Sequence, residues 1–414
     1  LTVIVTDHHE VPYVEMNGEK EYLLPKADAV VDPHRPDCGY PFKGLCGAAV
    51  AYKLVEALYN VMQKDPEDMD YLMENVAIAT VGDVMDLTGE NRIFVKQGLE
   101  MLKRTKNQGL KALIECTGID VERLNTYHIG FVLGPCINAS GRLDTAKRAL
   151  ELLNVRARRD AVMLAEDLKA LNDSRKEMTE RGVAEAVHMI ETTSLKDDKV
   201  LVVYLPDCHE SIAGIIAGRI KERYYRPVFV LTKAEGGVKG SGRSIEAYDM
   251  FSQMCRCRAL FTKFGGHKMA AGLSLEEENV RRFRDTINAL CDLTEQDMQM
   301  KVSIDMQLPF SYITEELVEE LELLEPFGKG NQKPLFAEKN LRVLSPRIIG
   351  KNRNVLKCCL EDVNGNQMEG VYFGDVDSCL RAMETKPVMS FTYYPSVNEY
   401  MGRRSLQVTI VNYQ

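Results

Sequence analysis

The sequence predicts an α/β protein in three parts: a parallel-sheet domain, a second α/β domain joined to it by a long helix, and a small β-barrel. Three observations support this prediction. Short β-branched runs alternate with segments of helical spacing over residues 1–155 and again from about residue 198, which is typical of mostly parallel sheets covered by helices. Residues 156–194 contain no proline and one glycine. Beyond about residue 300, short strands alternate with turn residues, as in small barrels.

In the first domain, residues 3–6 and 29–32 are predicted strands, and helices are predicted over 45–61, 71–79 and 91–105. Ligands of such sheets bind beyond the carboxyl ends of the strands. The chain opens on the apolar run from Leu1 to Val5, which indicates a buried strand with nothing before it. We therefore expect the natural chain to begin earlier and this domain to be N-terminally incomplete.

The segment 156–194 is predicted to be a connecting helix, with an apolar stripe of Leu164, Leu168, Leu171 and Met178. A surface helix of one domain is an open alternative. Strands are predicted over 200–204 and 227–231, and helices over 211–225 and 277–293. In the tail, only 314–324 has helical spacing. Its strands are predicted over 301–307, 341–343, 355–360, 368–373, 388–393 and 405–412. The domain boundaries that follow are 1–155, 156–194, 195–297 and 298–414.

The composition limits the classes of function. The 414 residues carry a net charge of −9, which argues against broad polyanion binding but allows a local basic groove. The 11 cysteines include no CxxC pair, so reduced thiols in a cytoplasmic protein fit better than a disulfide framework. No apolar run reaches the length of a membrane span. Tryptophan is absent, so nucleobase stacking would require Tyr, Phe or Arg.

The strongest local motif follows the first predicted strand, where Asp7, His8 and His9 stand together in TDHHE. Imidazole and carboxylate ligands suit Mn, Fe or Zn. One histidine can bind a metal while the other meets the substrate, although two solvated loop histidines remain an alternative. A second carboxylate centre is ATVGDVMDL, where Gly82 is predicted to allow a turn that exposes Asp83. Asp83 is the metal-ligand candidate there and Asp86 a weaker one; a plain turn is the alternative.

Three further segments have the composition of phosphate sites. Small residues surround Asn138 and Arg142 in GPCINASGRL, and Arg142 offers a forked donor. In GSGRS, two hydroxyls flank Arg243, and GGHKMAAG is predicted to be a glycine-rich turn carrying His267 and Lys268. Backbone amides together with Arg243 and His267 would cradle a phosphate. A buried irregular loop is the alternative for GPCINASGRL.

The tail concentrates positive charge, because residues 339–360 contain six basic and no acidic side chains. Such a face attracts a nucleic-acid backbone through counterion release. Five aromatic residues could stack on bases, or in part fill the barrel core: Tyr372, Phe373, Tyr393, Tyr394 and Tyr400. The basic residues are Lys339, Arg342, Arg347, Lys351, Arg353 and Lys357.

Together these motifs resemble the DHH phosphoesterase family, in particular its exonucleases. Eight strings occur in the family's order along the whole chain: TDHHE, ATVGDVMDL, GPCINASGRL, DCHESIAGIIAGRI, GSGRS, GGHKMAAG, LEPFGKGNQKPLF and NEYMGRRSLQVTI. The resemblance implies a DHH domain, a DHH-associated substrate-binding domain and an oligonucleotide-binding (OB) barrel that binds nucleic acid.

The resemblance also implies roles for single residues. His8 would be a metal ligand supported by Asp7, Asp83 the carboxylate of the second metal, and His9 a contact of the scissile phosphate. Arg142, with Asn138 nearby, would grip that phosphate. The substrate's 5′ end would be held by Ser241, Arg243, Ser244, Gly265, Gly266 and His267. Strand binding in the barrel would fall to Arg342, Arg347, Lys351, Arg353 and Lys357.

Two departures from the family's pattern bear on these roles. Cys136 stands where the family motif usually has arginine, so one phosphate contact is lost or moved. The family also has an Asp-x-Asp motif and a further aspartate upstream of DHH. Nothing in this chain replaces them. We expect this chain to carry only part of the metal site, and to bind strands while cleaving them weakly or not at all.

The implied function is two-metal hydrolysis of single-stranded DNA from the 5′ end, with Mn²⁺ or Mg²⁺, in DNA repair and recombination. Single-stranded DNA is the implied partner, a helicase or a single-strand-binding protein is a candidate protein partner, and the implied state is a monomer in the cytoplasm, away from membranes. Two alternatives stay open: a phosphodiesterase of short oligonucleotides or cyclic dinucleotides, and a non-catalytic nucleic-acid-binding relative.

Overall fold

The computed structural model describes residues 1–16, 18–143, 145–350, 352–400 and 402–414. The chain divides into two compact units. Unit 1 is made of residues 1–104, 124–129 and 302–414, and unit 2 of residues 105–123 and 130–301. The division groups the N-terminal segment with the barrel, and the four predicted domain ranges stay predictions.

The N-terminal strands of unit 1 confirm the predicted parallel pairing. Strand β1 (Ile4–Thr6) pairs in parallel with β4 (Ala29–Val31), and Thr6 lies opposite Val31. Between them, β2 (Tyr13–Met16) and β3 (Glu19–Tyr22) form an antiparallel hairpin that the sequence did not predict. Both β1 and β4 therefore end at the same edge, which is where a parallel sheet binds its ligands.

The predicted helices of this segment are confirmed with small shifts at their ends, and the second of them continues three residues further, to Gly82. They pack on a core that includes Leu45, Val50, Val76 and Phe94. A 3₁₀ helix (Pro66–Leu72) precedes the second. The α-helices are α1 (Gly47–Val61), α2 (Met73–Gly82) and α3 (Gly89–Lys103); a short helix of unit 1, Thr126–His128, follows later in the chain.

The rest of unit 1 is the predicted barrel. Five strands run in the order β11-β12-β13-β15-β14, pairing of β11 with β14 closes the ring, and β10 adds to β11 in parallel. Tyr393 is fully buried, and its hydroxyl donates a hydrogen bond to the Leu308 carbonyl. The strands are β10 (Met306–Gln307), β11 (Phe336–Ile349), β12 (Val355–Glu361), β13 (Gln367–Tyr372), β14 (Val388–Tyr400) and β15 (Arg403–Tyr413).

Two expectations for the tail were wrong. Only Met306 and Gln307 of the predicted strand 301–307 are extended in a sheet. Besides the predicted helix, now bounded at Glu315–Glu322, a second helix spans Val376–Thr385. The second helix buries Val376, Cys379 and Met383 against the barrel core, where it contacts β11 and β12. A 3₁₀ helix (Phe310–Tyr312) lies before the first.

The long helix of unit 2 confirms the helix predicted over 156–194, and its connecting role stays a prediction. It spans Arg158–Thr192 and is named α8. Of the predicted apolar stripe only Leu168 is fully buried, because the helix turns a neighbouring face inward. Gly182 on that face lies so close to Ile216 that an added Cβ would be 2.5 Å from its Cδ1. The fully buried residues are Ala161, Ala165, Leu168, Asn172, Thr179, Gly182, Ala186 and Ile190.

Four shorter helices lie between α3 and α8. GPCINASGRL forms a helix rather than an irregular loop, and a π-helical turn (Ile129–Leu133) leads into it. The helices are Gln108–Cys116 (α4), Thr126–His128 of unit 1 (α5), Gly134–Leu143 (α6) and Lys147–Asn154 (α7). Short 3₁₀ helices lie at Val121–Arg123, Ser194–Asp197 and Arg258–Leu260.

A five-stranded sheet forms the second half of unit 2, in the order β5-β6-β7-β9-β8. The pair β5–β6 is parallel and the others are antiparallel. The strands are β5 (Leu201–Tyr204), β6 (Val228–Ala234), β7 (Gly237–Arg243), β8 (Lys263–His267) and β9 (Ala270–Leu275). The helices are α9 (Glu210–Tyr224), α10 (Met250–Arg256) and α11 (Asn279–Ala289).

The two faces of this sheet differ. One packs a core with α10 and α11, and the other packs α8 and α9 against β5 and β6. Residues 240–243 of GSGRS lie in β7, and Ser244 follows it. The predicted glycine-rich turn is a hairpin: Gly265, Gly266 and His267 end β8, and β9 begins at Ala270. No helix of the described residues combines the length and apolar character needed to cross a membrane.

Candidate functional site

Asp7 organises the DHH segment at the carboxyl end of β1. Its amide donates to the Val31 carbonyl at 3.0 Å and so continues the parallel pairing by one residue. Its Oδ1 accepts hydrogen bonds from the amides of His8 (2.7 Å) and His9 (3.3 Å) and from His9 Nδ1 (2.7 Å). One carboxylate oxygen therefore fixes the backbone of both histidines and the ring of the second.

His8 faces Asp83, with 3.5 Å between its Nε2 and Asp83 Oδ2. The His8 side chain is 18% exposed and Asp83 is 50% exposed. A Cβ on Gly47 would lie 3.3 Å from the His8 ring, so glycine at the start of α1 leaves room for it. Two ligands at about 2.1 Å from one ion are about 3–3.5 Å apart. The spacing and the imidazole–carboxylate chemistry therefore fit one shared divalent cation.

Asp83 is presented by a helix C-terminal turn with an unusual residue. Met85 N bonds to Thr80 O (3.1 Å) and Val84 N to Val81 O (3.1 Å), which is the hydrogen-bond pattern of a Schellman motif. Val84 takes the left-handed position at φ +55°, where glycine is usual, and this costs about 1–2 kcal/mol. The expected glycine turn is thus displaced: Gly82 ends the helix and Val84 makes the turn.

A loop from the tail, residues 323–331, holds the segment after Asp83 and is called the docking loop. Leu87 N donates to Lys329 O at 2.6 Å, and Lys329 Nζ lies 3.0 Å from Asp86 Oδ1. Arg92 Nη2 donates to three successive carbonyls at 3.0–3.2 Å, those of Leu323, Leu324 and Glu325. Asp86, the weaker metal candidate of the sequence, is therefore engaged in holding the docking loop.

Charge at the site favours a protonated His9. The hydrogen bond to Asp7 raises the pKa of His9, and the carboxylates of Asp83 and Asp32 raise it further. The same bond, followed by the His8 amide, lowers the pKa of Asp7. His9 Nδ1 is occupied by Asp7 and the side chain is 76% exposed, so Nε2 is the ring atom available to an anionic substrate.

The sequence analysis missed two residues beside this cluster. Asp32 follows β4 and is 6% exposed, and its Oδ1 accepts from the His34 amide at 2.8 Å. The His34 ring lies 3.7 Å from both Asp32 and Glu10. A buried carboxylate at the end of the neighbouring parallel strand was the available signal, because both strands end at the same edge.

In unit 2, Asn138 and Arg142 lie four residues apart on α6 and so share one exposed face. Arg142 Nη1 donates to the Ser211 carbonyl at 3.1 Å. Cys136 is 1% exposed, and burial raises the pKa of its thiol to about 11. Position 136 therefore faces the packed interior, and its cysteine offers no phosphate contact.

Two further arginines lie beside Arg142. Burial lowers the pKa of Arg175 and of Arg243, and the Arg142 charge lowers both further. Arg175 donates to Asn172 Oδ1 at 2.8 Å, and Arg243 to its neighbour's carbonyl at 2.8 Å. Arg142 therefore repels both of the other guanidinium groups, and the three together are a candidate phosphate site. Arg175, on α8, was not predicted.

The predicted 5′-end residues take different positions on the sheet of unit 2. Ser241, Arg243, Gly265 and His267 are at least partly exposed. His267 Nδ1 accepts from the Met269 amide at 3.2 Å, which leaves Nε2 as a donor. Ser244 is 1% exposed and donates to the Tyr248 carbonyl at 2.6 Å. Its hydroxyl is therefore engaged in a turn, and its assignment to the 5′-end set stays a prediction.

Gly266, also predicted at the 5′ end, has a structural role in the hairpin. Its φ is +154°, and an added Cβ would meet the Ala270 carbonyl at 2.4 Å. The close strand contact therefore requires glycine.

The predicted basic residues of the barrel lie among acidic side chains. Arg347 and Lys357 are cross-strand partners, Lys357 Nζ lies 2.7 Å from Glu369, and Arg342 lies 3.9 Å from Glu361. Two of the predicted cations are thus partly neutralised. Arg353 is exposed, and Lys351 lies outside the described residues. Of the aromatics, Tyr393 belongs to the core and Phe373 is 62% exposed.

Comparison with known proteins identifies two parts of the chain. Residues 197–292 match the model of the DHHA1 domain, and residues 304–412 match that of the RecJ OB domain. The single-stranded-DNA-specific exonuclease RecJ of Escherichia coli is 35% identical over 433 residues, which covers the whole chain and 73% of that protein. The chain belongs to the RecJ family. The predicted family and the α/β, DHH-associated and OB architecture are confirmed.

Other RecJ proteins show how much of a relative's length this chain covers. RecJ of Bacillus subtilis is 35% identical over 99% of this chain, which spans only 50% of that relative. The crystal structure of RecJ from Thermus thermophilus in complex with Mn²⁺ superposes with a TM-score of 0.81 at 28% identity, over all of this chain and 58% of that one. The Mg²⁺ complex gives a TM-score of 0.78 at 27% identity, over 93% and 58% of the two chains.

Proposed function

We propose that this chain binds single-stranded DNA and hydrolyses it weakly from the 5′ end with the aid of Mn²⁺ or Mg²⁺, two ions in a complete site. The observation that carries the proposal is the 3.5 Å between His8 Nε2 and Asp83 Oδ2, at the sheet edge where ligands bind. Its RecJ relatives are named single-stranded-DNA-specific exonucleases, and solved RecJ structures contain Mg²⁺ or Mn²⁺.

His8 and Asp83 would hold a divalent cation between them. Asp7 would keep the histidine backbone in place through its bonds to both amides. A bound ion would supply positive charge to the phosphate and lower the pKa of a water molecule. His9, whose pKa is raised, would donate from Nε2 to a non-bridging phosphate oxygen and so stabilise the negative charge that develops there.

The arginines of unit 2 would hold the strand by its phosphates. Arg142, with Asn138 on the same face of α6, and Arg175 would contact a backbone phosphate of the strand. Arg243, Ser241 and His267 would hold the 5′-terminal phosphate and so set the direction of degradation. Guanidinium groups bind phosphate oxygens in a forked geometry, and charge repulsion among these arginines is relieved when an anion arrives.

The barrel would bind the strand beyond the site without reading its sequence. Arg347 and Arg353 are candidates for backbone contacts and exposed Phe373 is a candidate for stacking on a base. The match of residues 304–412 to the RecJ OB domain supports this role. It also favours a long polymer over the short-oligonucleotide or cyclic-dinucleotide alternative.

The test is a single-turnover assay with excess protein on a 5′-phosphorylated single strand in Mn²⁺, which detects weak cleavage. We expect mononucleotides from the 5′ end, little action on a blunt duplex, and loss of cleavage in His8→Ala and Asp83→Asn. Cleavage that both variants retain, or that starts at the 3′ end, would refute the proposal. Strand binding without cleavage and without Mn²⁺ binding would favour the non-catalytic alternative.

The finer assignments also stand as proposals. All 11 cysteines are free thiols, which supports a reducing compartment such as the cytoplasm. A helicase or single-strand-binding protein would supply or protect the single strand. A monomer is the proposed state, and sedimentation at increasing protein concentration tests it.

A further inference from the structure

One part of the unit 2 sheet is not covered by a helix. Helix α9 packs on β6 and on part of β7, and leaves the rest of that face, over β7, β9 and β8, open beside it. Alternate residues of these strands point to that face, because side chains alternate along a strand. This open sheet face consists of Lys239, Ser241, Lys263, Gly265, Gly272 and Ser274, all of them exposed or half-buried.

Strand register arranges the open sheet face in rows. Ser274 lies opposite both Lys239 and Lys263, and these three form the lysine row. Two residues further along the strands, Gly272 lies opposite both Ser241 and Gly265. The next row holds Arg243 and His267, the proposed partners of the 5′-phosphate. Adjacent rows are about 6.8 Å apart.

A cavity of about 480 Å³ lies over the first two rows, and the first turn of α9 forms one wall. Its floor is open, since added Cβ atoms on Gly265 and Gly272 would meet nothing within 4 Å. Thr232 also lines the cavity, and its fully buried hydroxyl has no hydrogen-bond partner in the described part of the chain. A polar group in this state indicates a ligand or water partner.

The charge of the cavity favours an anion. Lys239 Nζ is 2.7 Å from Glu210 Oε2, so these two charges offset each other. Lys263 takes part in no ion pair among the described residues, and it flanks Ser274 from the side opposite Lys239. Two ammonium groups and a hydroxyl in one row are donors to a single phosphate.

We propose that the lysine row is a second phosphate subsite, which takes a phosphate attached to the 5′-terminal phosphate, as in a 5′-di- or triphosphate end. This inference rests on the proposed function, in which Arg243, Ser241 and His267 hold the first phosphate. A chain of phosphates would run over the glycine floor from Arg243 towards Lys263. The negative charge of Glu210 repels the added phosphate and so limits the gain in affinity.

The experiment compares one single strand with a 5′-hydroxyl, 5′-monophosphate or 5′-triphosphate end, by fluorescence anisotropy without divalent ions. We expect the triphosphate end to bind about tenfold tighter than the monophosphate end. Lys263→Ala lowers this ratio to about 1, and Glu210→Gln raises it above the wild-type ratio. The control is Lys233→Ala, an exposed lysine of β6 opposite Val238, outside the open sheet face, which keeps the wild-type ratio.

Equal binding of the two phosphorylated ends, or a ratio that survives Lys263→Ala, overturns the subsite. Inorganic triphosphate that binds as tightly as the triphosphorylated strand would assign the cavity to free polyphosphate and also overturn the proposal. Failure of the proposed function would give a different result. The 5′-monophosphate end would then bind no better than the 5′-hydroxyl end, and Arg243→Ala would leave the affinity for both ends unchanged.

Discussion

Glu338 makes the stability of the barrel depend on pH. It is 7% exposed on β11, and its Oε2 accepts a 3.2 Å bond from the Phe310 amide. Burial raises its pKa from 4.5 to about 7, and the nearby Asp362 charge adds to this. Burial acts to raise the pKa of Asp362 too, but hydrogen bonds from Asn366 and Asn364 leave it lowered. Asp362 therefore keeps its charge, and Glu338 is the group that takes up a proton.

The direction of the pH dependence follows from the difference in proton binding between the folded and the unfolded chain. Between pH 4.5 and 7 the folded barrel holds a proton on Glu338 that the unfolded chain has released, so stability falls as the pH rises through this window. A pKa rise from 4.5 to about 7 corresponds to about 3 kcal/mol. Glu338→Gln keeps an acceptor for the Phe310 amide and removes the charge. We expect the variant to match the wild type near pH 4.5 and to be about 3 kcal/mol more stable at pH 8.

Native-state hydrogen exchange of the barrel amides at several pH values measures this difference, after correction for the intrinsic exchange rate. Exchange is preferable to a single melting temperature because the chain has two units and is not expected to unfold in one step. Glu361→Gln, at a half-buried carboxylate on β12 that lies near Arg342, is the control and should keep the wild-type pH profile. Parallel stability profiles for the wild type and Glu338→Gln would refute the reasoning.

Three further changes test the site and the barrel. Arg92→Ala removes the donor to three carbonyls of the docking loop, and we expect exchange at the Leu87 amide to rise roughly 30-fold, or about 2 kcal/mol, while the exposed Arg104→Ala leaves it unchanged. Val84→Gly relieves the left-handed position and should stabilise unit 1 by about 1 kcal/mol; destabilisation would show that the valine is needed by packing. The third change replaces Arg347 and Arg353 of the barrel by alanine. It should lower the slope of log K against log salt for single-strand binding by about 1.4, without a change in sequence preference. Arg381→Ala is the control and should leave the slope unchanged.

Much of the fold could be predicted because it depends on local pattern. Strand–helix alternation indicated β1, β4 and α1, and the absence of proline indicated α8 to within two residues at each end. The hairpin of β2 and β3 was missed because all its residues are exposed and it has no hydrophobic alternation. The helix Val376–Thr385 was missed because ten residues between strands give a short periodic signal.

The candidate site was predictable where it lies in contiguous motifs. His8 and Asp83 were chosen as metal ligands, and the structure brings them within 3.5 Å. Arg175 and the docking loop depend on tertiary contacts between distant segments, and no local pattern marks such contacts. The buried position of Ser244 could not be predicted, because a hydroxyl next to an arginine looks the same in sequence whether it faces a ligand or closes a turn.

The central claim is that His8 and Asp83 bind the same cation, and a double-mutant cycle of Mn²⁺ affinity tests it most directly. Titration followed by electron paramagnetic resonance of free Mn²⁺ gives the affinity of the wild type, His8→Ala, Asp83→Ala and the double variant, with Glu10→Gln as the control. We predict at least a tenfold loss in each single variant and no further loss in the double variant. Losses that simply add, or wild-type affinity in His8→Ala, would contradict the account.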